Sequence, residues 1–167
     1  LDDLDSLAAR EATAKRGVVI GGGLLGLEAA NALKTLGLET SVVELSPRLM
    51  AVQLDEGGAA MLRRKIEALG VKVLTGKASQ GIDVQKDGTL RLNFADGSEL
   101  ETDLVLFSAG IRPRDHLAAS AGLTLGRRGG VVIDDRCQTS DPAVSAIGEC
   151  AVWQGNLYGL VAPGYQM

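Results

Sequence analysis

Apolar positions along the chain follow two different periods, and the change between them organises the 167 residues. Residues 2–14 set Leu4, Leu7 and Ala8 at helical spacing behind acidic residues, which predicts a short lead-in helix. Gly17-Val18-Val19-Ile20 reads as an apolar strand, cut off by Gly21-Gly22-Gly23. Behind the glycines Leu25, Ala29, Leu33 and Leu36 recur as the stripe of an amphipathic helix, with Gly37 where a left-handed cap belongs. Residues 38–44 are the next strand. The unit then repeats. Asp55 caps a helix with Leu62, Ile66 and Leu69 on its apolar stripe, Gly70 stops it, and Val71-Lys72-Val73-Leu74 is a third strand. Strands separated by helices of this length pair in parallel through right-handed crossovers, so the pattern predicts a βαβαβ unit of the α/β class.

From residue 81 the period shortens to two. Ile82 and Val84 alternate with polar neighbours, as do Leu90, Leu92 and Phe94, and Asp87-Gly88 and Asp96-Gly97 supply turns before Leu100. Asp-Gly turns between alternating runs predict an antiparallel β-meander. Leu104-Val105-Leu106-Phe107 is apolar at consecutive positions, the mark of a strand buried on both faces, and ends in Ser108-Ala109-Gly110. A short helix near 115–121 and strands at 131–133 and around 144–147 are expected beyond it. The last twenty residues show no clear period. A chain that starts on Leu1 and stops inside the apolar stretch ending at Met167 reads as an excised piece of a longer protein.

Composition narrows the chemistry. Lys and Arg total 17 against 21 Asp and Glu, a net charge of −4 that lacks the basic footprint nucleic acid requires. Apolar residues make up 46%, enough for a sizeable core. No apolar run reaches the roughly 18 residues of a membrane span and no signal peptide is recognisable, so a cytoplasmic location is expected. Cys137, Cys150 and the single His116 cannot form a disulfide framework, a four-thiolate metal site or a multi-histidine cluster. The 22 glycines stand out, at about 13% against a usual value of roughly 7%.

Three of those glycines, Gly21, Gly23 and Gly26, fit G-x-G-x-x-G between an apolar strand and an amphipathic helix. In that Rossmann-like setting the first permits the tight turn, the second lets a pyrophosphate approach the backbone, and the third lets helix and sheet pack closely. The helix start, with the amides of Leu24 and Leu25, directs free N–H groups and a positive dipole end at the phosphates. Glu44 follows Gly26 by 18 residues, close to where a ribose-binding acid is expected. A carboxylate there accepts from the ribose 2′-OH and repels a 2′-phosphate, which favours NADH over NADPH; Arg48 acts in the opposite sense. Ser108-Ala109-Gly110 ends another strand, and the nicotinamide is expected beside Gly110. Glu28, one turn into the glycine helix, is a further candidate for the same crevice.

Three blocks resemble the NADH-binding domain of the pyridine-nucleotide-dependent flavoprotein reductases: Gly21-Gly22-Gly23-Leu24-Leu25-Gly26-Leu27-Glu28-Ala29-Ala30, Ser108-Ala109-Gly110-Ile111-Arg112-Pro113-Arg114 and Ala146-Ile147-Gly148-Glu149-Cys150. Within that family, Ser46-Pro47-Arg48-Leu49-Met50, Leu62-Arg63-Arg64-Lys65-Ile66-Glu67 and Gly159-Leu160-Val161-Ala162-Pro163-Gly164-Tyr165 resemble the assimilatory NAD(P)H-dependent nitrite reductases, in their large subunit. The resemblance implies hydride transfer from NADH to FAD, and electron transfer through iron–sulfur centres to a siroheme where nitrite becomes ammonia. It implies an NADH domain inserted in an FAD domain, with Gly148 and Glu149 at the flavin ribitol and phosphate; Glu149 stands where the family usually has Asp. The domains expected are a lead-in helix and linker over 1–16, an NAD(P)H-binding domain over 17–134, and a returning piece of a truncated FAD domain over 135–167. Only one G-x-G-x-x-G is present, so poor FAD binding and no complete reaction are expected of this chain alone, with clusters and siroheme outside it. The partners implied are a nicotinamide dinucleotide, the missing FAD domain and downstream redox modules.

Other residues have plainer readings. Cys137 and Cys150 suit small buried thiols, His116 a surface or capping residue, and Arg63-Arg64-Lys65 and Arg127-Arg128 solvated charges. Trp153 and Tyr158 suit either a flavin, a missing domain, or an apolar patch left by truncation. Two other functions use the same dinucleotide fold: a ferredoxin, rubredoxin or disulfide reductase of the same family, and a non-catalytic module sensing NADH.

Overall fold

The computed structural model describes residues 13–159 and 161–167, so nearly all of the expected lead-in helix lies outside the described residues. The chain divides between Ala109 and Gly110 into two compact units, and the domain boundary expected at residue 134 falls within the second.

The first unit is built on β1 (Arg16–Ile20), α1 (Leu24–Thr35), β2 (Glu39–Glu44), α2 (Glu56–Ala68) and β3 (Lys72–Thr75). A meander of β4 (Ser79–Val84), β5 (Leu90–Phe94) and β6 (Glu99–Thr102) follows, and β7 (Leu104–Phe107) returns to the first sheet. That sheet is parallel in the order β3-β2-β1-β7, and the meander is a separate antiparallel sheet in the order β4-β5-β6. Alternate residues of the central strands point to opposite faces. Val19, Val42 and Val73 meet Ala30 and Leu33 of α1 on one side, while Val18 and Val43 meet Leu92 and Phe94 of the meander on the other. Each fully buried valine stabilises the fold by roughly 1.5–3 kcal/mol, which makes β1 and β2 the rigid platform.

Both helices end alike. The N–H of Gly37 donates to Lys34 O and that of Leu38 to Leu33 O; Gly70 and Val71 repeat this toward Glu67 and Ile66. These are Schellman motifs, and φ of +89° at Gly37 and +86° at Gly70 explains the glycine in each. Asp103, between β6 and β7, fastens the meander to β1 by accepting from the N–H of Lys15 (3.0 Å) and Arg16 (2.9 Å) and from the Arg16 guanidinium (3.0 Å). The guanidinium, with those amides, holds the Asp103 carboxyl below its ordinary range.

Several expectations are corrected in this unit. Leu33 of the expected stripe of α1 is buried together with Gly26 and Ala30, while Leu25 (65% exposed) and Leu36 lie off that face. Leu69 is the exposed cap of α2 rather than part of its stripe. β7 packs on both faces, Leu104 and Leu106 in the helix-side core and Val105 on the meander side, but as an edge strand it leaves Phe107 at its end 70% exposed. β4 is exposed throughout despite its alternation, Val84 reaching 74%, because the apolar side of the meander is carried by β5. Arg63 is not a loose charge: its guanidinium donates to Glu67, Val73 O and Thr75 Oγ1, tying α2 to β3.

The second unit contains α3 (His116–Ser120), β8 (Val131–Ile133), a 3-10 turn (Gly148–Cys150), β9 (Ala151–Trp153) and α4 (Val161–Gly164). β8 and β9 pair in parallel, with Val131, Ile133, Ala151 and Val152 buried. Asp134 follows β8 and accepts from the N–H groups of Gln138 and Arg136, which hold its carboxyl below the usual range. The strand expected around 144–147 is absent among the described residues: Ser145 makes one bridge to Gln138, and no continuous ladder partner lies beside it. His116 is exposed as expected, whereas Cys137 and Cys150 are half-buried free thiols, not buried ones. The Trp153 indole N–H donates to Asp135 at 2.8 Å.

Candidate functional site

The carboxyl ends of β1, β2 and β7 lie side by side, with Ile20 paired to Val43 and to Phe107. The chain leaves β1 toward β2 on one side, while β7 returns on the other. This is the switch point at which open α/β sheets bind ligands. The structure brings together there the Gly21–Gly26 loop, Glu44 and Ser108.

The three motif glycines differ in what surrounds them. Gly21 has φ +122°, and a Cβ on it would run into the Ser108 carbonyl. A Cβ on Gly26 would overlap the Gly21 carbonyl oxygen, so α1 closes on the loop only without one. Gly23 differs. Its φ is −83°, and a Cβ there would meet nothing within 4 Å. Nothing inside the described chain demands a glycine at this position.

Gly23 is also the N-cap of α1, with no side-chain cap and no acid in the first turn. The Gly23 carbonyl accepts from Leu27 N–H at 3.0 Å, but the amides of Gly23, Leu24, Leu25 and Gly26 meet no acceptor among the described residues. Four unpaired N–H groups and a positive dipole end form an anion cradle. Glu28 is exposed one turn further on.

Glu44 is engaged from both sides. Its Oε2 accepts from Gly22 N–H at 2.6 Å and its Oε1 from Ser46 N–H at 2.7 Å. Reading the motif singled out Gly21, Gly23 and Gly26 but passed over Gly22, although the unbroken run of three glycines was a visible signal. A Cβ on Gly22 would come within 2.7 Å of Leu49 and 2.9 Å of Glu44, so this glycine lets the following loop close over it. Arg48 is directed to its own loop, donating to the Ala51 (3.2 Å) and Leu54 (3.4 Å) carbonyls. It borders a hollow of about 250 Å3 between that loop, α2 and the end of β3, lined also by Leu49, Glu56, Ala59, Arg63 and Thr75.

Gly110 opens the second unit with φ +92° and open space where a Cβ would lie. Gly148 (φ +80°) starts the 3-10 turn and donates its N–H toward Met167 Sδ at 3.4 Å, while Glu149 is exposed. Among the described residues no three His, Cys, Asp or Glu are placed to hold a metal ion, and no helix is long and apolar enough to cross a membrane.

The chain is 70% identical over 167 residues to the NAD(P)H nitrite reductase large subunit of Klebsiella oxytoca, covering 100% of this chain and 17% of that one. It is 56% identical over 172 residues to the NADH nitrite reductase large subunit of Escherichia coli K12, covering 100% and 20%. It therefore spans about a fifth of the length of these curated relatives. Among solved structures, an NAD-dependent persulfide reductase from A. fulgidus superposes with a TM-score of 0.82 at 35% identity, over 89% of this chain and 27% of that one. A profile of the pyridine nucleotide-disulphide oxidoreductases matches residues 1–166, and the chain belongs to that family.

Proposed function

We propose that this chain is the dinucleotide-binding part of an NAD(P)H-dependent nitrite reductase, holding NADH so that its hydride passes to FAD. The observation that carries the reading is the cradle of unpaired amides at Gly23–Gly26, where a Cβ on Gly23 would meet nothing within 4 Å. The diphosphate lies on those amides, where backbone N–H groups and the helix dipole neutralise it without a basic side chain. Glu44, at the end of β2, accepts from the adenosine ribose hydroxyls and disfavours a 2′-phosphate. Gly110 leaves space for the flat nicotinamide ring.

The names of the two nitrite reductase relatives support the substrate. Gly148 and Glu149, and residues 135–167 generally, are assigned to the FAD side; an exposed carboxylate after a glycine in the left-handed region fits a ribitol hydroxyl. When bound, FAD supplies conversion of the two-electron hydride into single electrons for nitrite reduction. The chain's own residues act as no acid or base in that step: they orient a ring and exclude water.

Titration with NADH and NADPH, followed by dihydronicotinamide fluorescence, tests the reading. Saturable binding with NADH tighter than NADPH is expected, and Glu44→Ala weakens NADH and narrows the gap. No saturable binding of either nucleotide at millimolar concentration by the folded chain overturns it.

A further inference from the structure

Both backbone polar groups of Gly22 are held by the loop that follows β2. Its N–H donates to Glu44 Oε2, and its carbonyl accepts from Met50 N–H at 3.0 Å. Met50 has φ +49°, uncommon for a residue with a side chain, and its own carbonyl accepts from Gln53 (3.0 Å) and Leu54 (2.9 Å). The strained residue is thus fixed from both directions. The peptide linking Gly22 to Gly23 is trans and planar, so a Gly22 carbonyl turned to Met50 turns the Gly23 N–H the opposite way, out of the loop.

We propose that Glu44 and the Met50 amide are positioning groups for the phosphate cradle: by clamping Gly22 they aim the Gly23 amide at the diphosphate. One carboxylate then serves two parts of the ligand, touching the ribose and shaping the diphosphate site through Gly22. This rests on the dinucleotide reading above and goes further, because it makes diphosphate affinity depend on Glu44 even when no ribose hydroxyl is there to be read. A neutral amide at position 44 is a poor substitute. It has one acceptor oxygen for two N–H donors, and its NH2 would face either Gly22 or Ser46.

The test pairs NADH with its 2′-deoxyadenosine analogue on the wild-type chain and on Glu44→Gln. The substitution is expected to weaken the analogue about tenfold, the loss of one charge-assisted hydrogen bond, and NADH at least as much. Glu44→Asp, which keeps two acceptor oxygens, recovers part of the loss. If the analogue binds Glu44→Gln as well as wild type, Glu44 acts on the ribose alone: the inference fails and the dinucleotide reading stands. If the wild type binds neither nucleotide, both fail. Amide hydrogen exchange gives a second measurement that needs no variant. In the nucleotide-free wild type, Gly22 and Ser46 are expected to exchange at least about 100-fold more slowly than Gly23 and Leu24, a ratio consistent with about 2.7 kcal/mol of protection. Equal rates overturn the proposal.

Discussion

The two long helices of the first unit are nearly interchangeable at one end and opposite at the other. Each follows a parallel strand, and each stops in a Schellman motif on a glycine, Gly37 or Gly70. At the N-terminus of α2 the Asp55 side chain accepts from Gly58 N–H at 2.8 Å, with Glu56 in the first turn beside it. At the N-terminus of α1 there is only Gly23, with no cap and no acid. A glycine N-cap gives up roughly a few tenths of a kcal/mol relative to Asp, so α1 is slightly less stable than the same fold permits. The difference separates a helix end that completes its own hydrogen bonding from one that leaves its amides open. The family match falls on the chain as a whole; this contrast is what supports the proposal that the N-terminus of α1 holds the diphosphate.

Making α1 resemble α2 is the strongest way to break the contrast. Gly23 already has the extended backbone of an N-cap and free space around it. Gly23→Asp is expected to cap the helix and raise stability by about 0.5 kcal/mol, while its carboxylate occupies the anion cradle. NADH affinity then falls at least about 100-fold, or about 2.7 kcal/mol. Urea unfolding and fluorescence titration measure the two opposing changes, and a variant that is stabilised yet binds normally would place the phosphates elsewhere.

Asp103 lies away from both helix ends and calibrates the platform beneath them. Asp103→Ala is expected to cost about 2 kcal/mol at pH 7, through three lost hydrogen bonds, two of them to backbone amides. Because folding lowers this carboxyl's pKa below the ordinary 3.8, its stabilisation is complete above that value and is lost as pH falls through the lower folded value. The stability gap between variant and wild type therefore closes in acid. A gap that widens below pH 4 would contradict the assignment.

The smallest effect sharpens the contrast from the other side. Asp55→Ala uncaps α2 and should cost about 1 kcal/mol in thermal or urea unfolding, with NADH affinity unchanged within about twofold. A large loss of affinity would mean that α2 and its preceding loop, and not α1 alone, carry the diphosphate.

Much of this was legible in the amino-acid sequence where a few neighbouring residues decide the outcome. Gly37, Gly70, Gly88 and Gly97 all have φ between +78° and +89°, and each stood at a place where the pattern required a cap or turn. Asp55 was recognisable because a side chain reaching an amide three residues ahead needs nothing from the rest of the molecule. The G-x-G-x-x-G spacing belongs with these only in part: Gly26 is required by the Gly21 carbonyl five residues back, whereas Gly21 is also required by the distant Ser108 carbonyl.

What required tertiary structure are the relations between distant segments. Helical periodicity marks Leu33 and also Leu25 and Leu36, whereas the face that packs on the sheet is Gly26, Ala30 and Leu33. Consecutive apolar residues over 104–107 point to a strand covered on both faces, as Leu104, Val105 and Leu106 are, whereas the edge position of β7 and the exposure of Phe107 depend on the strand order. Arg63 changed from solvated charge to structural tie once β3 was laid alongside α2. The bond from Gly22 to Glu44 spans 22 residues, so it exists only after β1 and β2 have paired and brought two loops to one edge. Short-range sterics and hydrogen bonding are written residue by residue; which face is covered, and which carboxylate meets which amide, is settled by chain segments that meet only when the sheet forms.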